Sequence, residues 1–217
     1  MESVSLAQAE FTRQVDAYLA AGCDDAADLT ESGFRRRLEP LRAALDRVVA
    51  EGLALEASRD HLPFVVVVTS RLLAPGERVA TLRVPGGARQ GTVDPGHRDG
   101  LAAYHSIPDL GLPDADAYLL VDVERGDTLR EIAPDEAVSA LKASGRSPLT
   151  LDEGLSLATV HPLALEPDAG FLLAGSRNRR RVPALWVTAG GAVLGWGGVA
   201  TPEAWLGVAS AATRVAA

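Results

Sequence analysis

The sequence predicts an α+β fold in which N-terminal helices pack on a mixed, largely antiparallel sheet, with two further helices in the second half. Three observations point there. Apolar residues recur at spacings of three and four through the first fifty positions; continuous apolar runs of strand length follow at 64–69 and 117–123; and residues 170–217 break into short apolar runs separated by glycine. A chain of 217 residues, 47% of them hydrophobic, buries a sufficient core without a metal or disulfide staple. Residues 1–55 read as a helical segment and 56–217 as an α+β domain, the two forming one integrated globular unit.

In residues 6–19, Phe11, Val15, Tyr18 and Leu19 share one helical face, with Glu10, Arg13, Gln14 and Asp16 on the others. Gly22 and the acidic run after it end that helix. Thr30 is a fit N-cap for the next, whose seam of Phe34, Leu38, Leu41, Leu45 and Val48 is interrupted by Pro40. Proline suits a first turn and not a helix interior, so a short helix to Leu38 and a second from Pro40 to Ala50, closed by Gly52, are expected. Arg42 with Asp46 and Arg47 with Glu51 are spaced for helical ion pairs. The β-branched run at 64–69 suits a central strand buried on both faces. Residues 79–84 alternate as a strand would and end in a turn at Pro85, Gly86 and Gly87. A long aperiodic loop fills 88–113 before the strand at 117–123. Pro134 opens a helix to Lys142 with Asp135 and Glu136 in its first turn, and Thr150 with Glu153 forms a capping box for a helix that stops before Pro162. Strands follow at 171–174, 182–188 and 192–196, the last two joined through Gly190 and Gly191; 202–214 reads as either helix or strand, with a short helix after Thr201, Pro202 and Glu203 the preferred reading.

The 29 acidic and 21 basic side chains give a net charge of −8, which argues against nucleic-acid and anionic-membrane binding. No stretch approaches the length needed to span a bilayer, and the N-terminus lacks the basic start and apolar run of a signal peptide. The single Cys23 closes no intramolecular disulfide, so a reducing bacterial cytoplasm is the expected compartment, with no cofactor and no metal. Charge is uneven: residues 1–169 hold 28 acidic and 16 basic side chains, while 170–217 hold one acidic and five basic. That asymmetry fits a positive end docked on the chain's own acidic body or on a second copy in a homodimer.

From 117 to 210 the chain strings together Tyr118 to Gly126 (YLLVDVERG), Gly145 to Leu157 (GRSPLTLDEGLSL), Ala174 to Arg177 (AGSR), Arg181 to Trp186 (RVPALW), Leu194 to Trp196 (LGW) and Trp205 to Ser210 (WLGVAS). Together these resemble an uncharacterised bacterial family, common in GC-rich actinobacteria, that is defined as a domain of unknown function. The resemblance implies a shared fold and no activity. In that family LGW is usually followed by Cys-Trp and a segment like Asn-Pro-His, whereas this chain has Gly197, Gly198 and Thr201-Pro202-Glu203.

Five groups of residues have chemistry to offer. Ser176, Arg177, Arg179, Arg180 and Arg181 form an arginine-rich turn suited to a phosphate or carboxylate, or to answering the acidic body. His97 and His105, with Asp94 and Asp99, could supply an acid and base or ligate a metal, although no spacing matches a ligand motif. Asp122 and Glu124 share one face at a strand end, where they serve proton transfer or pair with arginine. Ser156 sits in an imitation of G-x-S-x-G, but the capping box puts it inside a helix, and Asp152 and Glu153 read as helix-start residues. Trp186, Trp196 and Trp205 offer an aromatic wall for a ligand or partner, or pack in a core. Two functional classes therefore stand open: a non-catalytic binding module for a small anionic ligand or protein segment, and an enzyme acting on a phosphorylated or carboxylated metabolite. Convergence of the distant groups in one pocket would favour the enzyme.

Overall fold

The computed structural model describes residues 2–84, 90–97 and 100–217. Its elements are, in order, α1 (Glu2–Ala20), α2 (Cys23–Ala26), α3 (Glu31–Leu38), α4 (Leu41–Ala50), β1 (His61–Val68), α5 (Pro75–Thr81), β2 (Thr92–Val93), β3 (His105–Ser106), β4 (Ala117–Glu124), α6 (Pro134–Ala143), β5 (Ser147–Pro148), α7 (Leu151–Val160), β6 (Gly170–Leu172), β7 (Ser176–Arg177), β8 (Arg181–Thr188), β9 (Gly191–Gly198), β10 (Leu206–Val208) and β11 (Ser210–Val215). The α+β class is as expected. One sheet has the order β1-β4-β11-β5 and is antiparallel throughout; a second has the order β10-β6-β8-β9-β2; β3 and β7 form a two-stranded ribbon.

The helices of the N-terminal segment and α7 bury their apolar faces against the first sheet, in a core that joins Phe11, Phe34 and Leu45 to Phe64, Leu119 and Leu155. A smaller core lies on the other side of the second sheet, where α6 places Ala137 and Leu141 on Leu172, Val182 and Ala184. Local signals set the helix boundaries well: the Thr30 hydroxyl accepts from Gly33 N at 3.1 Å, and the Thr150–Glu153 capping box is complete. The hairpin at Gly191, with φ of 119°, joins β8 to β9.

Other expectations need correction. Residues 75–81 are the helix α5, so the strand expected at 79–84 is absent; Pro75 starts the helix, and Arg78, to which the sequence assigned no role, is buried. Its turn at Pro85, Gly86 and Gly87 lies outside the described residues. The helix expected after Thr201 is instead irregular chain leading into β10, because Gly207 lies against the Gly126 carbonyl so closely that a Cβ would come within 2.5 Å of it, while β10 pairs with β6. Arg42 bonds Glu39 at 3.1 Å and the Gln8 side chain at 2.6 Å rather than Asp46, which accepts from Gln8. No ion pair joins Arg47 to Glu51 among the described residues.

The run expected to be a central strand, β1, is buried on both faces but stands at the edge of its sheet. Its open side is sealed by side chains. The Gln14 amide donates to Phe64 O at 2.9 Å and its oxygen accepts from Val66 N at 2.8 Å, so it stands in for a peptide group of a missing strand. Tyr18 Oη donates to Val66 O at 2.7 Å, and Ser156 Oγ accepts from Val68 N at 3.1 Å. Gln14, which periodicity put on an outer face, is thus fully buried, because an edge strand covered by helices still needs polar partners.

Candidate functional site

Where β1 ends, its last residues meet the first turn of α7, the start of α5 and two stretches of the long loop, leaving a cleft of about 540 Å³. Thr69, Ser70 and Arg71 form one side; Thr150, Leu151 and Asp152 form the floor. Leu101, Ala102, Tyr104 and Ser106 face them, and Leu112, Pro113 and Ala115 complete an apolar wall beside Tyr118 and Ser176. The volume is within the usual range for small-molecule sites.

Asp152 is the most constrained side chain on this floor. Ser70 N donates to its Oδ2 at 2.8 Å, and Arg78 Nη1 to its Oδ1 at 3.1 Å. Arg78 lies beneath, 1% exposed, with its Nη2 also donating to the Asp152 carbonyl at 2.8 Å and to Ser156 Oγ at 2.6 Å. The neighbouring Glu153 is held likewise: wholly buried, it takes Arg214 Nε at 2.5 Å, Tyr118 Oη at 2.7 Å and Thr150 N at 2.7 Å. Burial, followed by the Glu153 charge, holds the Tyr118 phenol far above its usual range, so it remains a donor. Two consecutive carboxylates, each locked by its own buried arginine, is an arrangement that stability alone does not favour, since apolar replacements of buried ion pairs are commonly neutral or better.

Sequence reasoning missed Arg78, Ser70, Tyr104 and Tyr118 and took Asp152 for a helix-start residue. One signal was there: Glu153 alone completes the capping box, so Asp152 is surplus to the cap.

The arginine turn lies next to this cleft without forming it. Ser176 faces inward, its Oγ accepting from Leu151 N at 2.9 Å, and Arg177 pairs with Asp135. Arg181 donates to Gly96 O at 2.8 Å and stacks on the Trp196 ring at 4.0 Å from its centroid. Arg179 and Arg180 are exposed, Arg179 with a left-handed φ of 55°. Of the expected anion site, then, two guanidinium groups have no partner among the described residues and one hydroxyl is committed elsewhere.

The long loop is drawn to the same place. His105, in β3, pairs through the backbone with Arg177 in β7, and His97 sets its ring edgewise on Tyr104, 5.6 Å between centroids. Burial lowers the His97 pKa, and its Nε2 is enclosed without a hydrogen-bond partner among the described residues. Asp94 spends its carboxylate on its own turn, accepting from Gly96 N at 2.6 Å. Arg98 and Asp99 lie outside the described residues. Among the described residues no three of His, Cys, Asp or Glu gather as a metal site, and no helix is long and apolar enough to cross a membrane.

Asp122 and Glu124 lie toward the opposite end of β4 from Tyr118 and form a separate cluster. The register puts Asp122 opposite Pro63, which has no N–H to donate. Asp122 takes φ of 54°, and Arg146 bonds both its carbonyl and its Oδ2 at 2.7 Å. His61 Nε2 is 2.8 Å from Oδ1, a partner the sequence did not suggest, and Glu124 is 3.6 Å from Arg146. Burial opposes the charge on Asp122, but the His61 bond and Arg146 outweigh it and its pKa falls.

The tryptophans do not make one wall. Trp186 and Trp205 meet edge to face at 5.6 Å, with Trp186 over Gly195, where a Cβ would clash at 1.9 Å. Strand alternation sends Trp196 to the other face of the hairpin. Ser156 is inside α7 and fully buried, as the capping box implied, and Cys23 is buried against Thr81 with its pKa raised by burial. A family model described as "Family of unknown function (DUF5701)" matches residues 17–217. Neither the curated proteins nor the solved structures give a match.

Proposed function

The chain belongs to this family of unknown function, and with no activity to inherit from it we propose that the protein is a non-catalytic module that holds a small polar ligand in the cleft above Asp152. The observation that carries the reading is the fixing of Asp152 from two sides, by Ser70 N and by the buried Arg78, in a concave space built from distant chain segments. A preformed acceptor in a half-open, largely apolar cleft is what small-ligand recognition requires. The groups that would serve an enzyme do not join it. Asp122 and Glu124 are four and six residues beyond Tyr118 along β4, roughly 13 to 20 Å away at strand rise, and are paired with Arg146. His97 adjoins the cleft through Tyr104 and does not line it. The buried single thiol and acidic balance accord with action in a reducing cytoplasm.

The test is native mass spectrometry of protein purified from its own host, compared with the Ala102→Trp variant, which fills the cleft from an exposed loop position. The expected result is a small molecule retained by the parent chain and absent from the variant, released on denaturation. Equal retention by a folded Ala102→Trp variant would place the ligand elsewhere and end this reading.

A further inference from the structure

The charge of the cleft narrows what it binds. Its two ionic lining residues are Arg71 and Asp152, and each is already neutralised: Arg71 by Asp114 and, at 3.6 Å, Asp116, and Asp152 by Arg78. Among the described residues no uncommitted cation lines the cleft to hold a phosphate or carboxylate. An ammonium would find a carboxylate whose charge is already balanced from below. What the cleft does present is hydrogen-bonding capacity for uncharged donors. A carboxylate has about four lone-pair sites, and Asp152 uses two on Ser70 N and Arg78, leaving about two for donors arriving from the cleft side. The hydroxyls of Ser70 and Ser106 border the same space. The half-buried ring of Tyr104 adds apolar surface, while Tyr118, 2% exposed, only edges the space.

From this, and resting on the reading of the cleft as a ligand site, we infer that the ligand is an uncharged polyhydroxylated molecule of sugar size, with two neighbouring hydroxyls donating to Asp152 and its C–H face against the Tyr104 ring. Paired donors on one rigid ring match the two oxygens of a fixed carboxylate, and a charge-assisted O–H bond is roughly twice as strong as a neutral one. Arg78 is a positioning residue in this scheme: it touches no ligand and sets the plane of the carboxylate.

The experiment is an amide NMR titration of the isotope-labelled full chain with three sets of probes: neutral polyols (glucose, mannose, galactose, ribose and inositol), the anions gluconate and glucose 6-phosphate, and the amine glucosamine. The expected result is saturable shifts at Ser70, Ser106, Leu151 and Asp152 from at least one neutral polyol. Those shifts should be abolished in Ala102→Trp, with affinity at least tenfold weaker in Asp152→Asn, whose amide keeps the shape and loses charge assistance. If Asp152→Asn does not fold, Ser106→Ala, outside the Arg78 network, should weaken the same polyol two- to fivefold. Shifts in the cleft from the anions or the amine alone would overturn the polyol inference and leave the cleft as a ligand site. No cleft shift from any probe would overturn both. A polyol affinity unchanged in folded Asp152→Asn, or in Ser106→Ala where Asp152→Asn does not fold, would overturn the inference.

Discussion

Replacing Gln14 with leucine should cost the protein about 3 kcal/mol of stability, more than an apolar-for-polar exchange on a helix would suggest. The side chain is wholly buried, and its amide is the partner of Phe64 O at 2.9 Å and Val66 N at 2.8 Å on the open side of β1. Leucine nearly preserves volume but leaves a backbone carbonyl and a backbone amide without partners. Each such group costs about 1–3 kcal/mol when buried, and the added apolar contact returns about 1 kcal/mol, so the net loss is roughly 1–5 kcal/mol. Gln14→Glu should be no better: a carboxylate can accept from Val66 N but cannot donate to Phe64 O, and it brings an unpaired charge into the core. Urea unfolding at pH 7 reads both, with the midpoint lowered and the slope unchanged. A loss below about 0.5 kcal/mol for Gln14→Leu would show that water or a strand shift satisfies the edge and that the amide does not seal it.

Three further outcomes follow from other parts of the molecule, one structural and two of pH. Glu153→Ala should lose about 3–5 kcal/mol because Arg214, 4% exposed, is left buried without its carboxylate; in a double-mutant cycle with Arg214→Met the two losses should fall well short of adding, and strict additivity would deny the coupling. Burial depresses the pKa of both His97 and His161, so their neutral forms are favoured in the folded state. The stability this gives is present above the unfolded histidine value of about 6.5 and is lost as pH falls through the lower folded values. The urea midpoint should therefore hold from pH 8 to 7 and decline from about 6.5, and the double variant His97→Gln, His161→Gln should remove that limb. A separate acid limb below about 4 should remain, because Asp122 and Asp127, each burdened first by burial, are brought below their ordinary range by His61 and Arg146 in one case and Arg125 in the other. A midpoint that is flat from pH 7 to 5 in the parent chain would refute the histidine account.

What could be read from the sequence was whatever neighbours in the chain decide. Thr30, Pro134 and the Thr150–Glu153 box marked helix starts because a cap is a contact within four residues. The runs at 64–69 and 117–123 showed themselves as strands through unbroken apolar character. The failures share a different cause. Gln14, Arg78 and Arg214 are polar side chains in the core, placed there by partners at sequence separations of 52, 74 and 61, and no local pattern announces such a partner. The strand expected at 79–84 misread alternation in a helix that buries an arginine. The cleft was invisible for the same reason: its floor, walls and carboxylate come from stretches that meet only in the folded chain, while the conspicuous arginine turn and histidine loop lie beside it.

The position of β11 bears on how the protein is made. This strand, the last in the chain, lies between β4 and β5 and supplies one full side of β4, whose other side is held by β1. Residues 210–215 leave the ribosome roughly ninety residues after β4, a delay on the order of 5–20 seconds at ordinary elongation rates. Throughout that interval the nascent chain exposes the backbone edge of Leu119, Leu120 and Val121, an apolar stretch able to pair with any extended neighbour. The first sheet is thus closed only after its other strands have been synthesised, and the order of synthesis, more than the strength of any one contact, decides when that edge is covered.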